Sequence, residues 1–130
     1  KLKVAEKHGL EITEIEQKNP FMLHAKVGAL LAEKKYDIED QEVLSAIRWH
    51  TTGKPDMTLL EKIVYVADYI EPKRDKAPNL KEVRKMAFVD LDQALLKILE
   101  DTLNYLGDSP DEVDTMTKAT YDFYKNQIQP

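Results

Sequence analysis

The side chains in this chain that could carry chemistry are few: its 130 residues include three histidines and no cysteine. Two of the histidines fall on apolar stripes. His24 sits among Leu23, Val27, Leu30 and Leu31, and positions three and four apart share one side of a helix. His50 follows Val43 and Ile47 by steps of four and three, at the C-terminal end of its stripe. Asp68 comes one turn after Val64, beside Ile63 and Ala67, inside the run LLEKIVYVADYIEP. All three are predicted to point inward. A carboxylate removed from water needs a partner, so an inward Asp68 requires a basic side chain or a metal ion. Imidazole and carboxylate without thiolate suit iron, manganese or zinc, and such a metal polarises phosphoryl oxygens. The residues alone leave the plainer alternative standing, that His24 and His50 are histidines satisfied within a core.

Phosphate is the ligand that the neighbouring residues suit. After His50 come Thr51, Thr52, Gly53 and Lys54, which offer hydroxyls, backbone amides and a cation just past a helix end. The same four residues also make an ordinary polar helix stop. Arg74, beyond the break at Pro72, can fork onto a phosphate or pair with Asp75. His8, beside Gly9, reads as a surface residue at a helix end. Trp49, Tyr65, Tyr69, Tyr105, Tyr121 and Tyr124 stand at helical spacings and read as packing rather than stacking platforms.

The elements that must position these groups are all helical. Lys1 to His8 is the end of a helix stopped by Gly9, and Thr13 with Glu16 forms a capping box. Asn19-Pro20 opens a helix to about Lys35, with the proline in the first turn, where its missing N–H is not needed. Asp40 caps a helix that ends near His50 and is broken by Gly53 and Pro55. Thr58 and Glu61 form a second capping box, for a helix reaching Pro72, and Asn79 with Glu82 repeats the device. Asp90 starts a helix through Leu95, Leu99 and Leu106 to Gly107, and Ser109-Pro110-Asp111-Glu112 starts a last one. No stretch alternates with period two long enough for a strand.

The balance of 24 acidic against 19 basic residues, net charge −5, argues against a nucleic-acid or acidic-membrane binder. The interleaved charges read as solvated helix faces. With no cysteine and no apolar run of membrane-spanning length, a cytoplasmic protein with one domain over residues 1–130 is expected.

Taken in order, HTTG, LLEKIVYVADYIEP and Arg74-Asp75 resemble the YqeK family of HD-domain phosphohydrolases, from Lys1 to about Tyr105. The resemblance implies an all-α HD helical bundle, of which these residues form the C-terminal two-thirds. It implies an iron site of one or two metals, manganese or another divalent ion being the alternative. The implied reaction is symmetrical hydrolysis of diadenosine tetraphosphate, or a related dinucleoside polyphosphate, to two nucleoside diphosphates, two ADP in the first case. A homodimer is left open. Asp68 resembles the last metal-ligating aspartate, and His24 and His50 the histidines that hold a second metal or meet the phosphates. Asp68 and His50 would be the catalytic pair. Thr51 resembles a nucleotide contact and Arg74 the arginine that neutralises phosphate.

Two departures qualify this. None of His8, His24 and His50 is followed by aspartate, so the family's His-Asp dyad is missing. In the family the dyad lies N-terminal to where these residues begin, which fits the uncapped start at Lys1, and this segment alone is then expected to bind iron weakly and turn over little. Where the family has His-Pro-x-Thr near its C-terminus, this chain reads Asp114-Thr115-Met116-Thr117, and only Thr117 is kept as a substrate contact; the role of 108–130 stays open. The rival expectation is a non-catalytic HD-like module that binds nucleotide or a partner without cleaving it.

Overall fold

A computed structural model describes residues 2–71, 79–106 and 115–129. The described residues are helical, without strands: α1 (Leu2–Lys7), α2 (Glu14–Lys18), a 3₁₀ turn (Pro20–Leu23), α3 (His24–Lys35), α4 (Gln41–Arg48), α5 (Leu59–Tyr69), α6 (Leu80–Ala87), α7 (Leu91–Leu106) and α8 (Thr115–Ile128). None of the described helices is long and apolar enough to cross a membrane.

The expected start signals act through their side chains. The Thr13 and Thr58 hydroxyls accept the N–H groups of Glu16 and Glu61, whose carboxylates accept back from the threonine N–H groups at 2.9 and 2.8 Å. Asp40 accepts from the N–H groups of Glu42 and Val43, and Asp90 from that of Gln93. Asn79 behaves otherwise. It stands at the N-cap of α6 but makes no side-chain cap bond; its amide donates to Asp101 and its carbonyl accepts from the Tyr69 hydroxyl. The helix expected from Pro20 to Lys35 is also divided, because the first four residues take the tighter 3₁₀ form. The start expected at Ser109 lies outside the described residues, and the described part of the last helix begins at Thr115.

The main core is built on α7. Leu95, Ile98 and Leu99 are fully buried against Tyr65 and Val66 of α5, Val83 of α6 and Tyr124 of α8, each aliphatic side chain contributing about 1.5–3 kcal/mol. Ala5, Leu23 and Val27 form a smaller cluster under α1. Arg84 of α6 donates to the Ile70 and Glu71 carbonyls, satisfying two acceptors at the C-terminal end of α5.

The buried face of α5 is not the one expected. Glu61, Tyr65 and Val66 turn inward, whereas Leu59 and Ile63 are 66% and 45% exposed, and Ala67 and Asp68 are exposed with them. The helix has a distinct apolar side through Leu59, Ile63 and Ala67, but packing against α4 and α7 buries the opposite side, with Glu61 and Tyr65, instead.

Glu16 and Glu61 are buried capping carboxylates. Burial raises the proton affinity of each, but their bonds outweigh it: Lys26 and Thr13 hold Glu16 below its ordinary value, and Ser45, Thr58 and Lys54 do the same for Glu61. A carboxyl lowered in the folded state stabilises above its unfolded pKa, and that contribution is lost as pH falls through the folded value. Stability should therefore drop on acidification below the ordinary 4.5. The difference between the parent chain and a Glu16→Gln, Glu61→Gln double variant should shrink over the same range, as read by urea unfolding at stepped pH.

Candidate active site

His24 and His50 come together from different helices. His50 follows the C-cap Trp49 of α4, and His24 is the first residue of α3. Their ring centroids are 5.4 Å apart, edge to face. Nδ1 of His50 lies 2.6 Å from the Ile47 carbonyl, which can only accept, so in the neutral ring the proton sits on Nδ1. Nε2 is then left with its lone pair, the arrangement that suits an imidazole to act as metal ligand or base.

The inward placement expected of these groups is corrected in part. His50 is half-buried, but His24 and Asp68 are exposed. For His24 the cause is the 3₁₀ turn: Leu23 takes the buried position, and the change of period into α3 swings the next residue out of the core. Asp68 follows the outward face of α5. Its charge still reaches inward, because it adds to the burial and the Tyr69 effect that push the Tyr65 phenol above its ordinary range. Among the described residues, no three of His, Cys, Asp or Glu lie close enough to hold a metal ion. The two imidazoles therefore fit part of an iron or manganese donor set but do not complete one, and Asp68 is not gathered with them.

The HTTG turn is held from behind. Gly53 has φ of +73°, donates to the Trp49 carbonyl at 2.8 Å, and sits where an added Cβ would lie 2.9 Å from the Thr120 methyl of α8. The Met57 N–H donates to the Tyr124 hydroxyl at 2.7 Å, a second tie between the turn and α8. Gly53→Ala should cost about 2 kcal/mol in chemical denaturation, from the left-handed backbone and the clash together. Thr120→Ser, which removes the methyl, should recover only the clash.

In front of the turn lies a cavity of about 240 Å³, lined by Thr51, Thr52, Arg48 and Trp49, by residues of α2 and α3, and by Thr115 and Met116 of α8. Thr51 is exposed and borders it, as the resemblance requires of a ligand contact. Thr117 does not: it is buried, and its two predecessors face the cavity instead. Arg74 lies outside the described residues.

Sequence reasoning did not find Ser45 and Lys54 as partners of Glu61. The Ser45 hydroxyl of α4 donates to its carboxylate and Lys54 lies 3.7 Å away, so this one buried group joins α4, the turn after His50 and the start of α5. The capping box was the available signal, but its outward reach was not legible.

A helical bundle with paired imidazoles beside a polar, phosphate-suited turn defines a class, and the comparisons agree with it. The sequence profile of the HD domain family matches residues 2–73, and the chain belongs to that family. More particularly, it is 47% identical over 105 residues to the symmetrical bis(5'-nucleosyl)-tetraphosphatase of Bacillus subtilis, covering 81% of this chain and 56% of that protein. It is 45% identical over 100 residues to the protein of the same name from Halalkalibacterium halodurans, covering 77% and 53%. A crystal structure described as that of a predicted HD superfamily hydrolase involved in NAD metabolism, from Clostridium acetobutylicum, superimposes with a TM-score of 0.90 at 36% identity, over 97% of this chain and 66% of that one. The chain spans about half the length of the curated relatives it matches.

Proposed function

We propose that this HD domain serves the symmetrical hydrolysis of diadenosine tetraphosphate and related dinucleoside polyphosphates to two nucleoside diphosphates, in the cytoplasm. The observation that carries the reading is the His24–His50 pair, set beside Thr51 on a turn braced by α8. The names of the relatives support the substrate class. A divalent metal, iron first and manganese or another ion second, would supply Lewis acidity toward a phosphoryl oxygen when bound. His50 and His24 are the residues proposed to hold it in part; Asp68, the third expected ligand, stands apart from them among the described residues.

The protein's own groups do the rest. Nε2 of His50 meets the phosphate chain, or moves a proton, with its tautomer fixed through Nδ1. His24, Thr51 and Arg74 neutralise and orient the phosphates, which is most of what phosphoryl transfer asks of a protein.

The test is metal-supplemented hydrolysis of diadenosine tetraphosphate by the full-length protein, with products separated by chromatography. ADP alone is expected; ATP with AMP would overturn the symmetrical reaction. Nucleotide affinity unchanged by Asp68→Ala, in a protein without metal or turnover, would establish the binding module instead.

A further inference from the structure

One carboxylate fastens both ends of the segment that presents His50. Glu61 is 2% exposed, and its two oxygens are divided. Oε2 accepts from the Ser45 hydroxyl of α4, before the turn; Oε1 accepts from the Thr58 N–H and lies 3.7 Å from Lys54, after it. We propose that Glu61 and Ser45 are positioning residues for the hydrolysis, acting through His50, and this rests on the reading of His50 as the group that meets the phosphate chain or moves a proton.

Helix capping does not require the Ser45 bond. The box is complete with Thr58 and Oε1, and Oε2 is given to a residue sixteen positions earlier. Ser45 also departs from local preference. A serine inside a helix usually turns its hydroxyl to solvent or to the carbonyl four residues back, whereas this one reaches across to α5. The two groups are placed for each other rather than for their own helices.

The link runs on to the imidazole through backbone bonds. The Ser45 carbonyl accepts the Trp49 N–H at 3.0 Å. The Ile47 carbonyl accepts the His50 N–H at 3.4 Å and stands 2.6 Å from Nδ1. The Gly53 N–H closes the turn onto the Trp49 carbonyl at 2.8 Å, and Lys54 follows at once. His50 thus hangs from the last turn of α4, which Glu61 holds at Ser45, and the chain is held again just after Gly53. A residue past a helix end has no ladder of its own to fix it, and a misplacement of about 1 Å at a reacting group costs about a hundredfold in rate.

The full-length protein carries the test, with Ser45→Ala as the main variant because alanine suits a helix and the site is only half-buried. It should lower kcat for diadenosine tetraphosphate about thirtyfold and leave KM within about threefold, since His50 is present but misaimed. Proton–nitrogen correlation spectra of the imidazoles, which tell Nδ1–H from Nε2–H, should show one His50 tautomer in the parent and a mixture in the variant. Ser45→Thr keeps the hydroxyl and should return most of the rate. Added to His50→Ala, Ser45→Ala should have no further effect, the mark of two residues acting as one. Val83→Ala, a buried truncation on α6 outside the link, lowers the melting temperature and should leave kcat within about twofold of the parent. If Ser45→Ala melts below the assay temperature, Glu61→Gln makes the same comparison.

A Ser45→Ala loss no larger than that of Val83→Ala, with the His50 tautomer unchanged, overturns the positioning role, and a large effect of His50→Ala alongside it keeps the reading of His50. A His50→Ala rate within about threefold of the parent overturns that reading and the proposal with it.

Discussion

His50→Ala is expected to lower the rate of diadenosine tetraphosphate hydrolysis by about a thousandfold, the order seen when one preorganised charge-stabilising or proton-moving group is removed. The expectation rests on the fixed tautomer: with Nδ1 committed to the Ile47 carbonyl, Nε2 is the nitrogen left to meet a ligand or proton. His24→Ala should cost less, about a hundredfold, because His24 is exposed and its ring is braced mainly by His50. Stability should hardly move, since His50 is half-buried and loses one hydrogen bond of about 1 kcal/mol. Steady-state kinetics on ADP release, with thermal melts alongside, separate the two effects. A His50→Ala enzyme within threefold of the parent would remove this residue from the reaction.

Glu61→Ala should be among the most damaging single changes to stability, at about 3 kcal/mol. The carboxylate is almost wholly buried, and its removal leaves the Ser45 hydroxyl and the Thr58 N–H without their acceptor and Lys54 without its counter-charge. For a domain of this size that corresponds to roughly 10 °C in melting temperature. Glu61→Gln keeps one oxygen as acceptor for the Thr58 N–H and requires the Ser45 hydroxyl to turn and accept from its amide, and should cost about 1 kcal/mol. Equal losses from the two substitutions would show that the negative charge, lost in both, matters here and that the side-chain shape kept by glutamine does not. A secondary loss of activity in Glu61→Ala is expected as well, because this group ties the segment after His50 to both flanking helices.

The local signals in the sequence were legible wherever a side chain acts on its own helix. Thr13, Asp40, Thr58 and Asp90 cap as their neighbours predict, because that chemistry is complete within four residues. Asn79 shows the limit: the same residue type was recruited by Tyr69 and Asp101, partners that become neighbours only after α5 and α7 pack. Facing was harder still. In α5, Ile63, Val64 and Ala67 suggest one buried stripe, yet Tyr65, Val66 and Glu61 are the residues that turn inward, because tertiary contact with α4 and α7 overrides the apolar side of the helix.

The candidate site divides along the same line. That His24 and His50 belong together was readable from the resemblance, whereas the apolar stripe on which His24 sits misjudged its burial. That Thr115 and Met116, rather than Thr117, border the cavity depends on the rotation of α8 and was not readable. The Glu16–Lys26 pair that lines the cavity lies ten residues apart in sequence and has no motif to mark it.

The tie between Met57 and Tyr124 spans 67 residues. During synthesis, α3 and α4 leave the ribosome and can pair long before α8 exists, so a nascent chain already brings both imidazoles together. What it lacks is the brace behind Gly53, which arrives only with Thr120 and Tyr124. The brace on the turn is thus completed last in synthesis, and a chain clipped within α8 keeps its histidines but loses the support behind Gly53.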